Sequence, residues 1–425
     1  CCLQQQREKM TFHYRLPGAF LLPAMLAASP LHAEPQASII VDGVISNYSQ
    51  DPEEYRLPGF QLGGEAGLHD EGWSFGHNEF AFSTEIGGFL EGRFTGVAHQ
   101  HENEMEFELE ELWLQTLGLG HGVTLKGGRF FSDIGYLNNI HPHAWDFVDA
   151  PLVYRGMLGS QYKDDGLQAA WIAPTDLYLR LGAEAFTGDG FPFAYDGGGI
   201  GSWSLFADIG GDINDSHSWQ LGFSYLGGES GERFGGHGHD HGGGHHEDHA
   251  VEEEHGLDEH GDETHLPAFS GDNDIYALDL VYKWAPQGNY KERFFKLQME
   301  YMYRREDGRI DLFDDDGIEE SSTYEGRQHG GYIQGSYRFP PYWQASLRYD
   351  WLGSSNRAAD SEVLEEAGLA SDHDPWRIGG AIAWVPNEYT TLRFQYNHDR
   401  SLPRTDHQFF VQFIYSFGPH GAHQF

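Results

Sequence analysis

The sequence predicts an all-β protein: a transmembrane antiparallel β-barrel of about sixteen strands, with short turns at one end and long external loops at the other. Three observations predict it. Apolar and polar residues alternate with period two, connections alternate in length, and glycine (56 residues) and aromatics (15%) are abundant although mean hydropathy is polar. Strands wetted by lipid on one face and water on the other average to a polar composition, and aromatics furnish the interfacial girdles.

The chain begins with a segment expected to be removed. From Met10, a short region with Arg15 leads into an apolar run, Ala19 to Ala28, and a Leu31-His32-Ala33 end of the type signal peptidase cleaves. That run is too short to span a bilayer as a helix. Residues 1–33 are therefore read as an upstream extension plus signal peptide, and 34–425 as the barrel. Both cysteines, Cys1 and Cys2, lie in the extension, which excludes disulfides and thiol chemistry from the remainder. Removing 1–33 takes away Arg7, Lys9, Arg15 and Glu8, leaving 23 of 26 basic and 65 of 66 acidic residues. So negative a chain disfavours nucleic acid and favours cations.

Strands are expected near 38–47, 73–86, 88–98, 104–117, 121–131, 161–173, 176–187, 201–211, 217–227, 273–285, 291–305, 327–339, 342–353, 373–385, 389–399 and 408–418. In the last, Phe409, Val411, Phe413, Tyr415 and Phe417 share one face, with Phe410, Gln412, Ile414 and Ser416 on the other. Connections after even-numbered strands are short. Most after odd-numbered strands are long and polar: 48–72, 132–160, 188–200, 228–272, 306–326 and 354–372. Short turns face the periplasm in outer-membrane barrels, and an even count lets the first strand pair with the last. Trp171, Tyr178, Trp284, Phe339, Tyr342, Trp343, Trp384 and Tyr389 crowd the short turns, where a girdle belongs. The closing aromatic strand resembles a signal for barrel-assembly machinery. A secreted soluble sandwich or propeller is the rival, but it has no need for an apolar face on every strand.

Two loops carry candidate chemistry. Residues 229–269 hold His237, His239, His241, His245, His246, His249, His255, His260 and His265 among twelve acidic residues and many glycines. Imidazoles on a flexible chain suit zinc, copper or nickel, with affinity expected to fall below about pH 6 as they protonate. A solvated acidic loop and a pH sensor are the alternatives. Residues 132–160 form the third external loop, which in porins folds inward and narrows the pore. Its polar groups would be His141, His143, Asp146 and Asp149, a mixed nitrogen and oxygen set, unless these residues merely cap one another. Glu106, Glu108 and Glu110 alternate along the fourth strand and would line the lumen, while Asp311, Asp314, Asp315, Asp316, Glu319 and Glu320 fill another loop.

No G-x-S-x-G, H-E-x-x-H or phosphate-loop motif occurs, so the chain is expected not to be an enzyme, although residue types alone leave a barrel phospholipase or protease open.

Residues 128–155, GRFFSDIGYLNNIHPHAWDFVDAPLVYR, resemble a family of Gram-negative outer-membrane proteins described as zinc-regulated, porin-like channels. The likeness covers roughly Glu91 to Asp189, including YKDDGLQAAWIAPTDLYLRLGAE. It implies a pore made when zinc is scarce and used for zinc entry, with His141, His143, Asp146 and Asp149 at the matching positions. The expectation is a channel in the outer-membrane lipid, a possible homotrimer, passing or binding Zn²⁺ or a similar ion and requiring no cofactor. A receptor of the TonB-dependent class without a visible plug, an adhesin and a lipid-modifying barrel are the alternatives.

Overall fold

In the computed structural model, which describes residues 35–101, 104–235, 266–314 and 317–418, the alternating segments become one closed wall. Its first half comprises β1 (Gln36–Asn47), β2 (Gly72–Phe75), β3 (Asn78–Ile86), β4 (Leu90–His101), β5 (Glu104–Thr116), β6 (Val123–Phe131), β7 (Lys163–Ile172), β8 (Tyr178–Phe186) and β9 (Ser202–Asn214). The second half comprises β10 (His217–Phe234), β11 (Leu266–Trp284), β12 (Phe294–Asp314), β13 (Gly317–Phe339), β14 (Trp343–Ser354), β15 (Arg357–Ala358), β16 (Trp376–Asn387), β17 (Thr390–Arg400) and β18 (Asp406–Phe417). Two short helices, α1 (Leu152–Leu158) and α2 (Ser361–Glu366), lie in loops. β2 and β3 both pair with β1, one above the other, so they are halves of one wall strand, and β15 is a two-residue flap on β13. The wall is thus a closed antiparallel barrel of 16 strands, sealed by β1 against β18 from Ile39↔Phe417 to Asn47↔Phe409.

Closure follows from the alternation. Every backbone N–H and C=O in a membrane needs a partner, and a cylinder supplies one without leaving an edge in lipid. Along β18, Phe409, Phe413 and Phe417 face outward while Gln408, Phe410, Gln412, Ile414 and Ser416 are buried inward. Along β14, Leu347 and Tyr349 point out, with Gln344, Ser346, Arg348 and Asp350 inside. Leu347 is 64% exposed near the middle of its strand. Leu347→Arg should therefore lower stability in bilayers by about 2–4 kcal/mol, read by urea unfolding into liposomes; no change would place this face against protein or water instead. No helix among the described residues is long and apolar enough to cross a membrane.

All sixteen wall strands lie where the sequence puts them; the connections differ in two places. Residues 306–326 were expected as a loop, yet β12 and β13 run on as a hairpin to Asp314 and Gly317. Likewise, β10 extends to Phe234 and β11 starts at Leu266, which shortens the segment expected at 228–272. The outward residues there are charged, Asp307 and Arg309 among them, and each has a side chain more than half exposed. These extensions stand clear of the lipid, so the rule of apolar residues outside stops applying. Inward, Phe269, Ile310, Leu312 and Tyr324 pack with Val363 and Leu369 around α2, which holds the hairpin upright.

Residues 132–160 lie inside the barrel, where their backbone bonds inward-facing wall side chains: Gly135 donates to Ser224, Tyr136 to Glu300, Val148 to Gln395 and Leu152 to Asp350. Every residue of α1 is buried, and Leu152, Val153, Met157 and Leu158 pack with Tyr55, Leu57, Phe60 and Leu62 of the first external loop. Gly159 ends the helix in the left-handed region at φ 62°, where a side chain would be strained. The apolar core of this protein therefore sits inside the barrel, under two loops.

Candidate metal centre

Two irregularities in the wall aim donors at one point. The first lies between β2 and β3, where Asp42 of β1 receives the His77 N–H at 3.3 Å and its main chain exchanges hydrogen bonds with Asn78 at 3.0 and 3.1 Å. Gly76 passes so close that a Cβ would fall 2.5 Å from the Asp42 carboxylate. This break turns His77 inward beside Glu79. The second irregularity is a β-bulge: Thr95 pairs with Glu111 and Gly96 with Leu109, so Glu110 is the extra residue. A bulge turns two successive side chains to the same face, and both Glu110 and Glu111 are buried in the lumen between lipid-facing Leu109 and Leu112.

The inward loop supplies the rest. Pro142 sets up a 3₁₀ turn, Pro142–Ala144, with His141 at its start. His141 Nδ1 lies 3.0 Å from Glu79 Oε2 and 3.1 Å from Glu110 Oε2, and its Nε2 lies 3.1 Å from Glu111 Oε2. His77 Nε2 is 3.1 Å from Glu110 Oε1, and His143 Nδ1 is 3.2 Å from Glu79 Oε2. Ligand atoms of His77, Glu79, Glu110 and His141 all lie within 4.8 Å of one another. His77 Nε2, His141 Nδ1, Glu79 Oε2 and Glu110 Oε2 are all buried and approach one another without the alignment of hydrogen bonds. Donor atoms that converge without bonding to each other fit a shared cation, and two imidazoles with two carboxylates suit a borderline ion such as zinc. Burial works against a charge on His141, but Glu110 and Glu79 overcome it and hold its pKa well above the usual histidine range. For His143 burial prevails and the pKa is lowered.

Of the four residues grouped from the sequence, only His141 and His143 reach this point. Asp146 lies elsewhere, bound to Lys296 Nζ at 2.7 Å and accepting from Gln334 and Gln344, each at 2.8 Å. A small recess opens beside it, lined by Trp145, Phe147, Lys296 and Arg348. Asp149 is on the far wall, receiving Arg348 at 2.7 Å, Arg377 at 2.6 Å, and Gln395 and Asn397 at 2.8 Å each. The grouping fails because the chain after Ala144 winds through consecutive bends from Trp145 to Asp149, and every cationic partner of the two aspartates comes from strands far along the sequence. His237, His239, His241, His245, His246, His249, His255, His260 and His265 lie outside the described residues. So do Asp315 and Asp316; Asp311 is held by Arg309 and Ser321. Glu106 pairs with His99 and Glu108 with Lys163, above the centre on the same strand face as Glu110.

His77, Glu79 and Glu111 were missed, though the sequence carries a signal for them. Outward apolar residues are odd-numbered at Trp73 and Phe75 but even-numbered at Phe80 and Phe82, and they switch again between Leu109 and Leu112. Each change of phase marks a break in the alternation, and both breaks fall at this centre.

No family model matches the chain. An uncharacterized protein of Aquifex aeolicus (strain VF5) is 28% identical over 325 residues, 75% of this chain, and the chain spans 63% of that relative's length. Among solved structures, a loop L8 deletion mutant of the Vibrio cholerae outer membrane protein OmpT has a TM-score of 0.52 at 9% identity, covering 90% of this chain and 99% of that one. In-vitro folded OmpT in its trimer form gives 0.51 at 7%, with the same coverage. Salmonella typhi OmpF in complex with daunomycin gives 0.50 at 11%, covering 90% and 97%.

These comparisons correct one expectation. A likeness to OmpT at so low an identity carries the fold and leaves the chemistry undecided. A buried imidazole and carboxylate group is also of the kind that serves acid–base catalysis. The exclusion of an enzyme is withdrawn, and enzymatic status is open. What the wall, its apolar belt and its structural neighbours establish together is a closed transmembrane β-barrel with the fold of outer-membrane porins.

Proposed function

We propose that this barrel is a channel that admits divalent metal cations, zinc foremost, and that the ion pauses at His77, Glu79, Glu110 and His141 on its way through. The observation that carries this reading is the convergence of those four donors at the narrowing loop, three from the wall and one from the loop. Hard ions such as calcium and magnesium favour all-oxygen sites, whereas two imidazoles favour a borderline ion. Glu106 and Glu108 stand above the centre on the lumen face of β5 and would draw a cation downward. The histidines from His237 to His265 would raise the local ion concentration outside, a capture role for the segment expected at 228–272. Residues 34–425 then act as one transport unit. A homotrimer in the outer-membrane lipid, as in the OmpT trimer form, and production under zinc scarcity belong to the same proposal.

Zinc influx into proteoliposomes tests it. Wild-type barrels should admit Zn²⁺ with saturation at a finite concentration, whereas barrels lacking residues 236–265 should show reduced influx at low external zinc and the same maximal rate. Equal rates at every concentration would remove the loop from the mechanism. Influx that never saturates and is indifferent to the identity of the cation would remove the metal reading altogether.

A further inference from the structure

The donor group has a permanent cation built into its periplasmic side. Glu79, Glu110 and Glu111 converge on His141, and among the described residues Arg93 is the one arginine or lysine paired with any of these carboxylates. Its Nε lies 3.1 Å from Glu111 Oε2 and donates to Thr95 Oγ1 at 3.1 Å, while its Nη2 stands 3.7 Å from Glu79 Oε1. Thr95 in turn donates to Glu111 Oε2 at 3.1 Å. Arg93 therefore grips one oxygen of Glu79 while the other faces His141 and His143.

Its depth follows from the register. β4 rises from the short turn at Leu90 to the outer end at His101, with Val97 opposite Glu79, Thr95 opposite Glu111, and Arg93 lower, opposite Ser83 and Trp113. The Arg93 side chain is 27% exposed, whereas those of the two carboxylates it holds are at most 10% exposed. It is the group an ion meets on leaving the centre downward.

We propose that Arg93 sets how strongly the centre holds a divalent cation and so permits its release toward the periplasm; this rests on the reading of the centre as a station in the channel. Three buried carboxylates carry three negative charges, and a fully coordinating site of that charge would hold a divalent ion too tightly to conduct it. Conduction needs binding strong enough to admit an ion and weak enough to let it go. A guanidinium keeps its charge at any working pH. One such charge leaves a net of two negative charges, the match for a divalent cation. Charge interactions are strong where water is scarce, so the presence of this one cation has a large effect on affinity.

The test pairs equilibrium binding of Zn²⁺ to the folded barrel in detergent with Zn²⁺ influx into proteoliposomes. Arg93→Gln should tighten binding on the order of tenfold and lower the saturated influx, because release slows. Arg93→Lys should retain most of both wild-type values. The charge-balanced double variant Arg93→Gln/Glu111→Gln should return the affinity to within about threefold of wild type; it remains informative even if the single variant does not fold. A merely structural arginine would lose affinity and influx together, so opposite signs distinguish the two roles. Unchanged or weaker binding by Arg93→Gln overturns the role of Arg93 while leaving the station intact. A wild-type barrel that binds no Zn²⁺ overturns the station and Arg93's role with it.

Discussion

Replacing Asp149 by leucine should release the narrowing loop from the far wall and destabilise the loaded barrel by about 3–5 kcal/mol, the range for stripping one partner from a buried ion-pair network. Asp149 and Asp350 face Arg348 and Arg377 with their side chains almost wholly buried, two charges of each sign. Removing Asp149 leaves an uncompensated guanidinium charge in the lumen. It also frees Arg348 Nη2 and Arg377 Nη1, and the amides of Gln395 and Asn397, from their carboxylate acceptor. Arg348 additionally stacks on Phe147 at 4.3 Å, so the loop's aromatic packing should loosen with the ion pair. Planar-bilayer recordings should then show a larger and noisier conductance. A conductance and urea midpoint equal to wild type would show that the loop is held by its apolar core alone.

The same carboxylate gives the pH dependence. Burial acts to raise the Asp149 pKa, but Arg377 and Arg348 overcome it and hold the group well below the usual carboxylate range. A depressed folded pKa contributes stability that is full above the unfolded value, about 3.9, and is lost only as pH falls toward the folded one. The contribution of Asp149 to loop anchoring should accordingly be flat from pH 7 down to about 5 and weaken only in stronger acid.

The wall was legible because lipid imposes one rule on every strand, and Phe409 to Phe417 obey it residue by residue. Above the lipid the rule lapses, which is why Asp307 and Arg309 looked like loop and proved to be strand. The inward fold of residues 132–160 and the pairing of His141 with His143 were within reach, since both lie in one short motif. Asp146 and Asp149 were misplaced because adjacency in sequence says nothing about which wall each residue of a bent segment reaches. Their partners Lys296, Arg348 and Arg377 are scattered over the second half of the chain. Glu111 was hidden by the assumption of unbroken alternation, which a bulge violates by one residue.

That division of the loop between two walls yields the sharpest test of the centre. Glu110→Gln and His141→Ala should each weaken Zn²⁺ binding by more than about a hundredfold, since loss of even an outer-sphere partner of a metal ligand lowers affinity by 10–100-fold. Asp146→Asn should leave the affinity unchanged, because Asp146 is occupied by Lys296, Gln334 and Gln344 on the other side of Trp145. The two wall and loop ligands fail for different reasons. Glu110 belongs to the wall strand β5, so its loss removes a charge and leaves the loop seated. His141 arrives with the loop, so its loss also frees residues 141–144 from β5 and leaves His143 alone to hold them to Glu79 of β3. Calorimetry should therefore show a similar loss of affinity for both variants, whereas conductance should change more for His141→Ala than for Glu110→Gln. If Asp146→Asn weakens zinc binding as much as Glu110→Gln does, the ion sits in the recess beside Asp146, and the four converging donors are a hydrogen-bonded anchor for the loop instead.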